Sequence, residues 1–360
     1  MPKKCITRSY QGQRIFVGID VHLKSWTVTV RILGMEVEHF TMPPSASVLA
    51  KHLRSRYPAG DYFSVYEAGF CGFAAHRRLV DQGVKNIVTN PGDVPTRNKE
   101  RDKKRDSVDS RKLARELQKG SLEAIWVPSP KQEDLRSLCR LRKKLVDHST
   151  RLKNRIKQHL YYRGVVIPAH SELAHWSGRF LTWLEQFCPE GRNPGADSLR
   201  ITLEELRLQR ARITHATRLL RRYTRGNETL ALLRTVPGLG FVTAITVYAE
   251  LMSMKRFRNL NDLCCYIGLV PGSSDSGDKQ RNRELSSLGN RHLRYVLIEA
   301  AWVAVRKDPD LLDAFSRSTR RMPKNRAIIK IARKLLNRIR HVWNNQTPYQ
   351  SPAALPASAA

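Results

Sequence analysis

The sequence predicts an α/β domain at the N-terminus, two long helices in the middle and an all-helical domain at the C-terminal end. Three observations predict it. Between residues 15 and 90, apolar β-branched runs alternate with helix-like stretches. Leu138, Leu145 and Leu152 then recur every seven residues, as do Leu199, Leu206, Ile213 and Leu220. From Glu228 onward the apolar stretches read as helices, the first two joined by Pro237-Gly238-Leu239-Gly240. The domain limits that follow are 1–130, 131–225 and 226–345, with 346–360 as a disordered tail.

The first strand is IFVGIDV, an apolar run that reaches Asp20. SWTVTVRIL alternates and is β-branched, and MEVEHF follows a turn at Gly34, so residues 15–40 read as a three-stranded meander. SASVLAKHLRSRY fits a helix with a serine near its start. YFSVYEAG fits a buried strand with Glu67 at its end, GFAAHRRLVDQG a helix stopped by Gly83, and VKNIVTNPG another strand. After the basic segment 97–105, a helix runs from about Ser107 to Lys119. Three strands followed by alternating helix and strand make a mixed sheet with helices on its faces. The two leucine stripes predict an antiparallel coiled coil or helical hairpin, either packed in the core or projecting as an arm. RFRNLNDLCCYIGL and HLRYVLIEAAWVAV are helices on either side of a loop at 271–287. The last helix, 325–343, sets Ile328, Ile331, Leu335 and Ile339 on one face, with Arg326, Lys330, Arg333, Lys334 and Arg338 around it.

Charge narrows the function classes. Lys and Arg number 64 against 32 Asp and Glu, a formal net charge of +32. Such a field attracts polyanions. The basic residues are spread through segments with apolar periodicity rather than gathered in one tail, which points to a folded protein that handles nucleic acid. No apolar run is long enough to span a bilayer, and MPKKCITRSYQGQR lacks the apolar stretch of a secretory signal. Cys5, Cys71, Cys139, Cys188, Cys264 and Cys265 form no CxxC pair and read as reduced thiols of a cytosolic protein. The histidines show no HExxH spacing.

The segment KKRDSVDSRKLAREL, residues 103–117, sets Asp106 and Asp109 three residues apart at the start of a helix, beside Lys103, Lys104 and Arg105. Singly, each candidate carboxylate has a plain explanation. Asp20 caps a turn, Glu67 ends a strand, and Asp106 and Asp109 favour a helix N-terminus through its dipole. Together, in a strongly basic chain, the four make a set suited to hard divalent ions, Mg²⁺ or Mn²⁺. Two such ions bracket a scissile phosphate. Gly238 and Gly240 precede a helix start whose free N–H groups suit a phosphate, unless the turn is a plain helix connection. PGSSDSGDK offers three serines, Ser273, Ser274 and Ser276, followed by phosphate-binding charge at Lys279, Arg281 and Arg283.

FVGIDVHLKSWTVTV, YEAGFCGFAAHRRL, NPGDVPTRNKERDKKRDSVDSRKLA and YIGLVPGSSDSGDKQRNRELSSLGNRHLRYVLIEAAW together resemble the DEDD transposases of bacterial insertion sequences. These are serine-containing recombinases guided by a bridge RNA. The resemblance covers residues 14–306. It implies a RuvC-like, RNase-H-type N-terminal domain whose acidic tetrad falls on Asp20, Glu67, Asp106 and Asp109. It implies that Ser276, followed by glycine a few residues after Gly268-Leu269-Val270-Pro271, attacks a DNA phosphodiester and is joined transiently to the strand end. In SLGNRHLR it implies structural and DNA-contact roles for Asn290 and Arg294. The implied partners are element and target DNA, a non-coding guide RNA and further copies of the chain, as dimer or tetramer, in the nucleoid-associated bacterial cytoplasm. Two other readings share these residues: a junction-resolving nuclease using water, and a non-catalytic nucleic-acid-binding protein.

Overall fold

A computed structural model of the chain describes residues 9–95, 106–189, 191, 193–271, 285 and 289–351, with the side chains of 106–108 outside that set. The described chain divides into two compact units, one up to Val127 and one from Pro128. The helical pair and the C-terminal helices thus fall in the same unit.

The first unit is a five-stranded sheet in the order β3-β2-β1-β4-β5. β1 (Arg14–Val21), β2 (Trp26–Ile32) and β3 (Met35–Met42) form the antiparallel meander, and β4 (Asp61–Glu67) and β5 (Lys85–Thr89) add in parallel on the other side of β1. The two faces of β1 have different coverings. Ile15, Val17 and Ile19 are fully buried in a core shared with Leu49, Leu53 and Leu79 from α1 (Ala46–Arg56) and α2 (Ala74–Asp81). The other face, on the alternate residues Phe16, Gly18 and Asp20, receives α3 (Asp106–Lys119).

Gly18 is where that helix crosses. A Cβ at Gly18 would lie 2.1 Å from the Ser110 carbonyl oxygen and 2.4 Å from the Ala114 nitrogen. Only glycine lets the two backbones come this close. Side chains fix the helix direction. Arg31 Nε donates to Gln118 Oε1 at 3.0 Å, and the hydroxyls of Thr29 and Ser110 lie 2.9 Å apart. Arg31 pairs with Phe16 and Thr29 with Gly18, so moving toward the C-terminal end of β1 moves toward the start of α3. At its other end α3 is locked through Glu116, which is 5% exposed. Glu116 accepts from Arg115 at 2.9 Å, Lys119 at 3.1 Å and Ser121 Oγ at 2.8 Å. Burial alone raises its carboxyl pKa, but these donors prevail and hold it at about 2.

In the second unit, α4 (Pro130–Tyr162) starts in a capping box between Ser129 and Gln132. α4 and α6 (Pro194–Tyr223) fold back on each other, with His148 beside Glu205 and Arg142 donating to Thr217. Leu152, Ile156 and Leu160 meet Leu199, Leu203 and Leu206, with Phe180 and Leu184 of α5 (Gly178–Glu185) closing the cluster. Leu138 does not join that seam; it packs on the C-terminal core. That core combines α7 (Glu228–Leu233), α8 (Phe241–Leu251), α9 (Leu260–Ile267), α10 (Arg291–Val305), α11 (Pro309–Thr319) and α12 (Lys324–Asn345). α5 and α11 were not expected from the sequence pattern; each is a short helix, opened by Ser177 in one case and Asp308-Pro309 in the other. The expected tail from 346 is also shortened. Tyr349 donates its hydroxyl to Asp308 Oδ2 at 2.6 Å and its N–H to Thr235 Oγ1 at 2.8 Å, so the chain is held that far, while 352–360 lie outside the described residues. No described helix is long and apolar enough to cross a membrane.

Two outcomes follow for stability. Gly18→Val must push α3 off β1 and should cost about 1–3 kcal/mol, read as a lower urea midpoint. Glu116 has a depressed folded pKa, so its contribution is complete above the unfolded value of 4.5 and is lost as pH falls toward about 2. Wild type should therefore lose roughly 3 kcal/mol across that window that Glu116→Gln does not lose, measured by denaturant unfolding at each pH.

Candidate active site and nucleic-acid interface

The parallel register between β1 and β4 pairs Arg14 with Asp61 and Gly18 with Val65, a constant offset. Carried two residues further, that offset sets Asp20 beside Glu67 at the C-terminal ends of adjacent strands. Both lie on the α3 face. Gly18 touches α3 directly, and Val65 is buried against Leu113. Phe16 and Phe63, the same distance back, stack at 5.7 Å on that face too. Because α3 runs antiparallel to β1 across Gly18, its first turn, with Asp106 and Asp109, is directed to the strand ends that carry Asp20 and Glu67. The backbone thus brings three separate sequence segments to one sheet edge.

The residue before Glu67 anchors that end of β4. Tyr66 is fully buried on the opposite face; its hydroxyl donates to the Gly72 carbonyl at 2.9 Å and accepts from the His76 N–H at 3.2 Å. Ala68 N–H donates to the Thr89 carbonyl at 2.8 Å. Asp20 Oδ2 lies 3.1 Å from His22 Nε2, and the Asp20 side chain is 20% exposed. Two neighbours went unnoticed in the sequence. His22 stands two residues after Asp20, the strand spacing that shares a face. Lys112 stands one helical turn after Asp109 and is only 8% exposed. Carboxylate oxygens are the donors a hard divalent ion prefers. Among the described residues, no three His, Cys, Asp or Glu side chains are gathered tightly enough to hold an ion; the Asp106 side chain lies outside that set.

Lys103, Lys104 and Arg105 lie outside the described residues, as do Ser273, Ser274, Ser276, Lys279, Arg281 and Arg283. The root of the serine loop is described. Gly268 caps α9 in the left-handed conformation at φ +78°. Gly289 has φ +98°, and a Cβ there would lie 2.7 Å from the Gly268 nitrogen. Asn290 N–H donates to the Tyr266 carbonyl at 2.9 Å, and Pro271 bridges to Leu285. The segment that contains Ser276 therefore leaves and returns at one point, where backbone meets backbone.

Asn290 is used inward. Its Oδ1 caps α10 by accepting from Leu293 N–H at 3.0 Å, and its Nδ2 donates to Glu250 Oε2 at 2.8 Å. Glu250 is fully buried and takes both arms of Arg140 at 2.8 Å, with Arg136 at 3.9 Å. Burial raises the Glu250 pKa, and the hydrogen bond and charge of Arg140 then carry it below the usual carboxylate range. Through this pair the long helix α4 is tied to the loop root. Arg294 Nη1 donates to the Gly268 carbonyl at 3.0 Å and secures the same root. Gly238, at φ +87°, lies against α10 so closely that a Cβ would sit 2.3 Å from the Ala300 oxygen. Gly240 is the N-cap of α8, with open space around it and no side-chain cap. The helix-turn-helix of α7 and α8 thus presents an uncapped helix start, with Arg221 over the Phe241 ring at 4.4 Å.

Residues 17–162 match a family model for DEDD transposases of the IS110 type, and residues 230–316 match the Transposase IS116/IS110/IS902 family. A Sinorhizobium fredii protein named "Putative transposase y4rJ" is 28% identical over 89% of this chain and 90% of its own. The transposase for insertion sequence element IS1111A of Coxiella burnetii is 27% identical over 73% of each chain. Matched in order by both models, and along most of its length by a relative, the chain carries IS110/IS116-family DEDD transposase domains and is a transposase, an enzyme that cuts and rejoins DNA.

Proposed function

We propose that this transposase moves an insertion sequence by way of a covalent serine–DNA link, with Ser276 as nucleophile and Asp20, Glu67, Asp106 and Asp109 as the metal-binding tetrad. The observation that carries the reading is the sheet edge itself. It supports the reading because the strand register and the direction of α3 carry the segments bearing Asp20, Glu67, Asp106 and Asp109 toward the same strand ends. The four carboxylates are the residues that would hold Mg²⁺ or Mn²⁺, and a bound ion would supply Lewis-acid polarisation of the phosphate oxygens.

The protein's own share of the chemistry is an exchange at phosphorus. The Ser276 hydroxyl attacks a DNA phosphodiester and gives up its proton. The bond from phosphorus to the leaving sugar oxygen breaks, and that oxygen takes up a proton. The new serine ester retains the energy of the broken bond. A hydroxyl of another strand then attacks the ester and releases the serine, so no nucleotide is consumed. The glycine-locked loop root supports this role, since it fixes both ends of a segment whose serine must meet a phosphate. A charge of +32 suits a protein that holds DNA and a non-coding guide RNA together. Strand exchange needs more than one active site, so the working form is a dimer or tetramer.

With DNA carrying the element ends, RNA from the element's non-coding flank and Mg²⁺, wild type should give a protease-sensitive shift of labelled DNA on a denaturing gel. Ser276→Ala should abolish it. Cleavage that persists without the adduct would make the protein a nuclease that uses water. Asp106→Asn should lower cleavage by about 100-fold or more while DNA binding stays the same or tightens, because a repulsive charge is gone. A matching collapse of binding would make Asp106 structural.

A further inference from the structure

A cavity of about 420 Å³ lies among α4, α6, α8 and α10. None of the described residues that line it belongs to the tetrad or to the root of the serine loop. Val146, Leu220, Val242, Ile245 and Val296 give it apolar walls. Most polar groups of the lining are already spent. Thr150 donates its hydroxyl to the Val146 carbonyl at 3.1 Å, and Thr246 to the Val242 carbonyl at 2.7 Å. Lys143 and Asp147 neutralise each other at 2.5 Å. Two groups are left over. Arg142 donates its Nε to Thr217 Oγ1 at 2.8 Å, but among the described residues no carboxylate pairs with its guanidinium. Burial works against that charge and lowers its pKa. Both ring nitrogens of His292 are buried, and neither has a hydrogen-bond partner among the described residues. Burial also holds that ring below the ordinary histidine range, so near neutral pH it is uncharged and has one N–H to donate. A desolvated guanidinium without an anion and a buried imidazole without a partner each cost free energy, and both line this one cavity.

The chemistry of the two orphans defines what would satisfy them. The outer nitrogens of a guanidinium match the two oxygens of a carboxylate. With Lys143 cancelled by Asp147, the lining keeps one net positive charge, which suits a monoanion better than a phosphate dianion. The apolar walls take a hydrocarbon or aromatic body, and the volume falls within the range of small-molecule pockets, about 300–1,000 Å³.

We propose that this cavity binds a small organic monocarboxylate, with its carboxylate on Arg142, its apolar body against Val146 and Ile245, and a polar atom at the His292 ring. An occupant joins α4 to the first turn of α10, two residues beyond Asn290. It thereby fastens the same elements that Glu250 links through Arg140 and Asn290. The site does not depend on the serine chemistry.

The test is isothermal titration calorimetry on the full chain at about 150 mM salt, which screens the overall field. The probes are benzoate, phenylacetate, indoleacetate and octanoate, with indoleacetamide and inorganic phosphate beside them. At least one acid should bind with a dissociation constant of about 1 mM or below, and the neutral amide should bind at least about tenfold more weakly than its acid. Heat from none of the four acids overturns the proposal, as does phosphate bound as tightly as the best acid. Arg142→Met should lose at least about tenfold in affinity for that acid. Arg151→Met, the same change at an exposed position of α4 outside the lining, should lose less than about twofold. Equal losses in these two variants would reduce the effect to net charge and overturn the proposal. Val146→Trp keeps every charge and fills the cavity, so it should also lose about tenfold. His292→Phe separates ligand contact from scaffolding. Removing two orphaned nitrogens should raise the urea midpoint of the empty protein while weakening the acid at least about threefold. Unchanged affinity in both Val146→Trp and His292→Phe would place the acid elsewhere and overturn the proposal. If circular dichroism shows Arg142→Met unfolded, Val146→Trp carries the same readout.

Discussion

The contact between the Gly18 backbone and the backbone of α3 at Ser110 and Ala114 is the constraint on which the N-terminal unit depends. A helix normally stands off a sheet by the depth of two side-chain layers. Here one layer is missing at the crossing, so the helix is pinned in position along β1 and not merely held against it. The Thr29–Ser110 and Arg31–Gln118 hydrogen bonds then set its direction. Position and direction together determine where its first turn lies, and that turn carries Asp106 and Asp109. The sheet supplies the rest: a parallel pair, β1 and β4, in a register that sets Asp20 next to Glu67. An edge that gathers carboxylates from three distant segments needs this kind of over-determined crossing, because carboxylates repel and would otherwise drive the segments apart.

Carboxylates in this basic chain fall into two kinds. Glu116, Glu250 and Asp308 are buried and saturated by cations or hydrogen-bond donors. They fasten helix ends and joints: the C-terminal end of α3, the joint between α4 and α10, the packing of α12 on the start of α11. Such pairs resist substitution because removing one partner leaves the other charge buried. Asp20 and Glu67 belong to the second kind. They stand at strand ends on a face with partial exposure, where a charged ligand can reach them.

In the C-terminal unit the scaffold converges on the root of the serine loop. Gly268 and Gly289 meet backbone to backbone, Asn290 caps α10 while reaching Glu250, and Arg294 holds the Gly268 carbonyl. Arg140 extends this joint into α4, so the helical pair and the loop root share one buried ion pair.

Periodicity alone determined most of the elements. β1 to β5, α1 to α4, α6 and α12 fall where alternation, heptads and caps set them, since each pattern is local and its physical cause is burial of one face. The strand ends at Asp20 and Glu67 and the helix start at Asp106 were legible for the same reason. Other features depended on which surfaces meet. Nothing in GID says that Gly18 is a helix crossing, and of the structural role expected of Asn290 only packing shows the partners, Leu293 and Glu250. Leu138 keeps heptad spacing yet packs on the C-terminal core instead of the α4–α6 seam. Arg142 and His292 are far apart in sequence, and only the packing of α4 with α8 and α10 sets them on one cavity. Spacing along the chain is sequence information; the partner that a face, a glycine or an amide finds is decided by long-range packing, which no local pattern encodes.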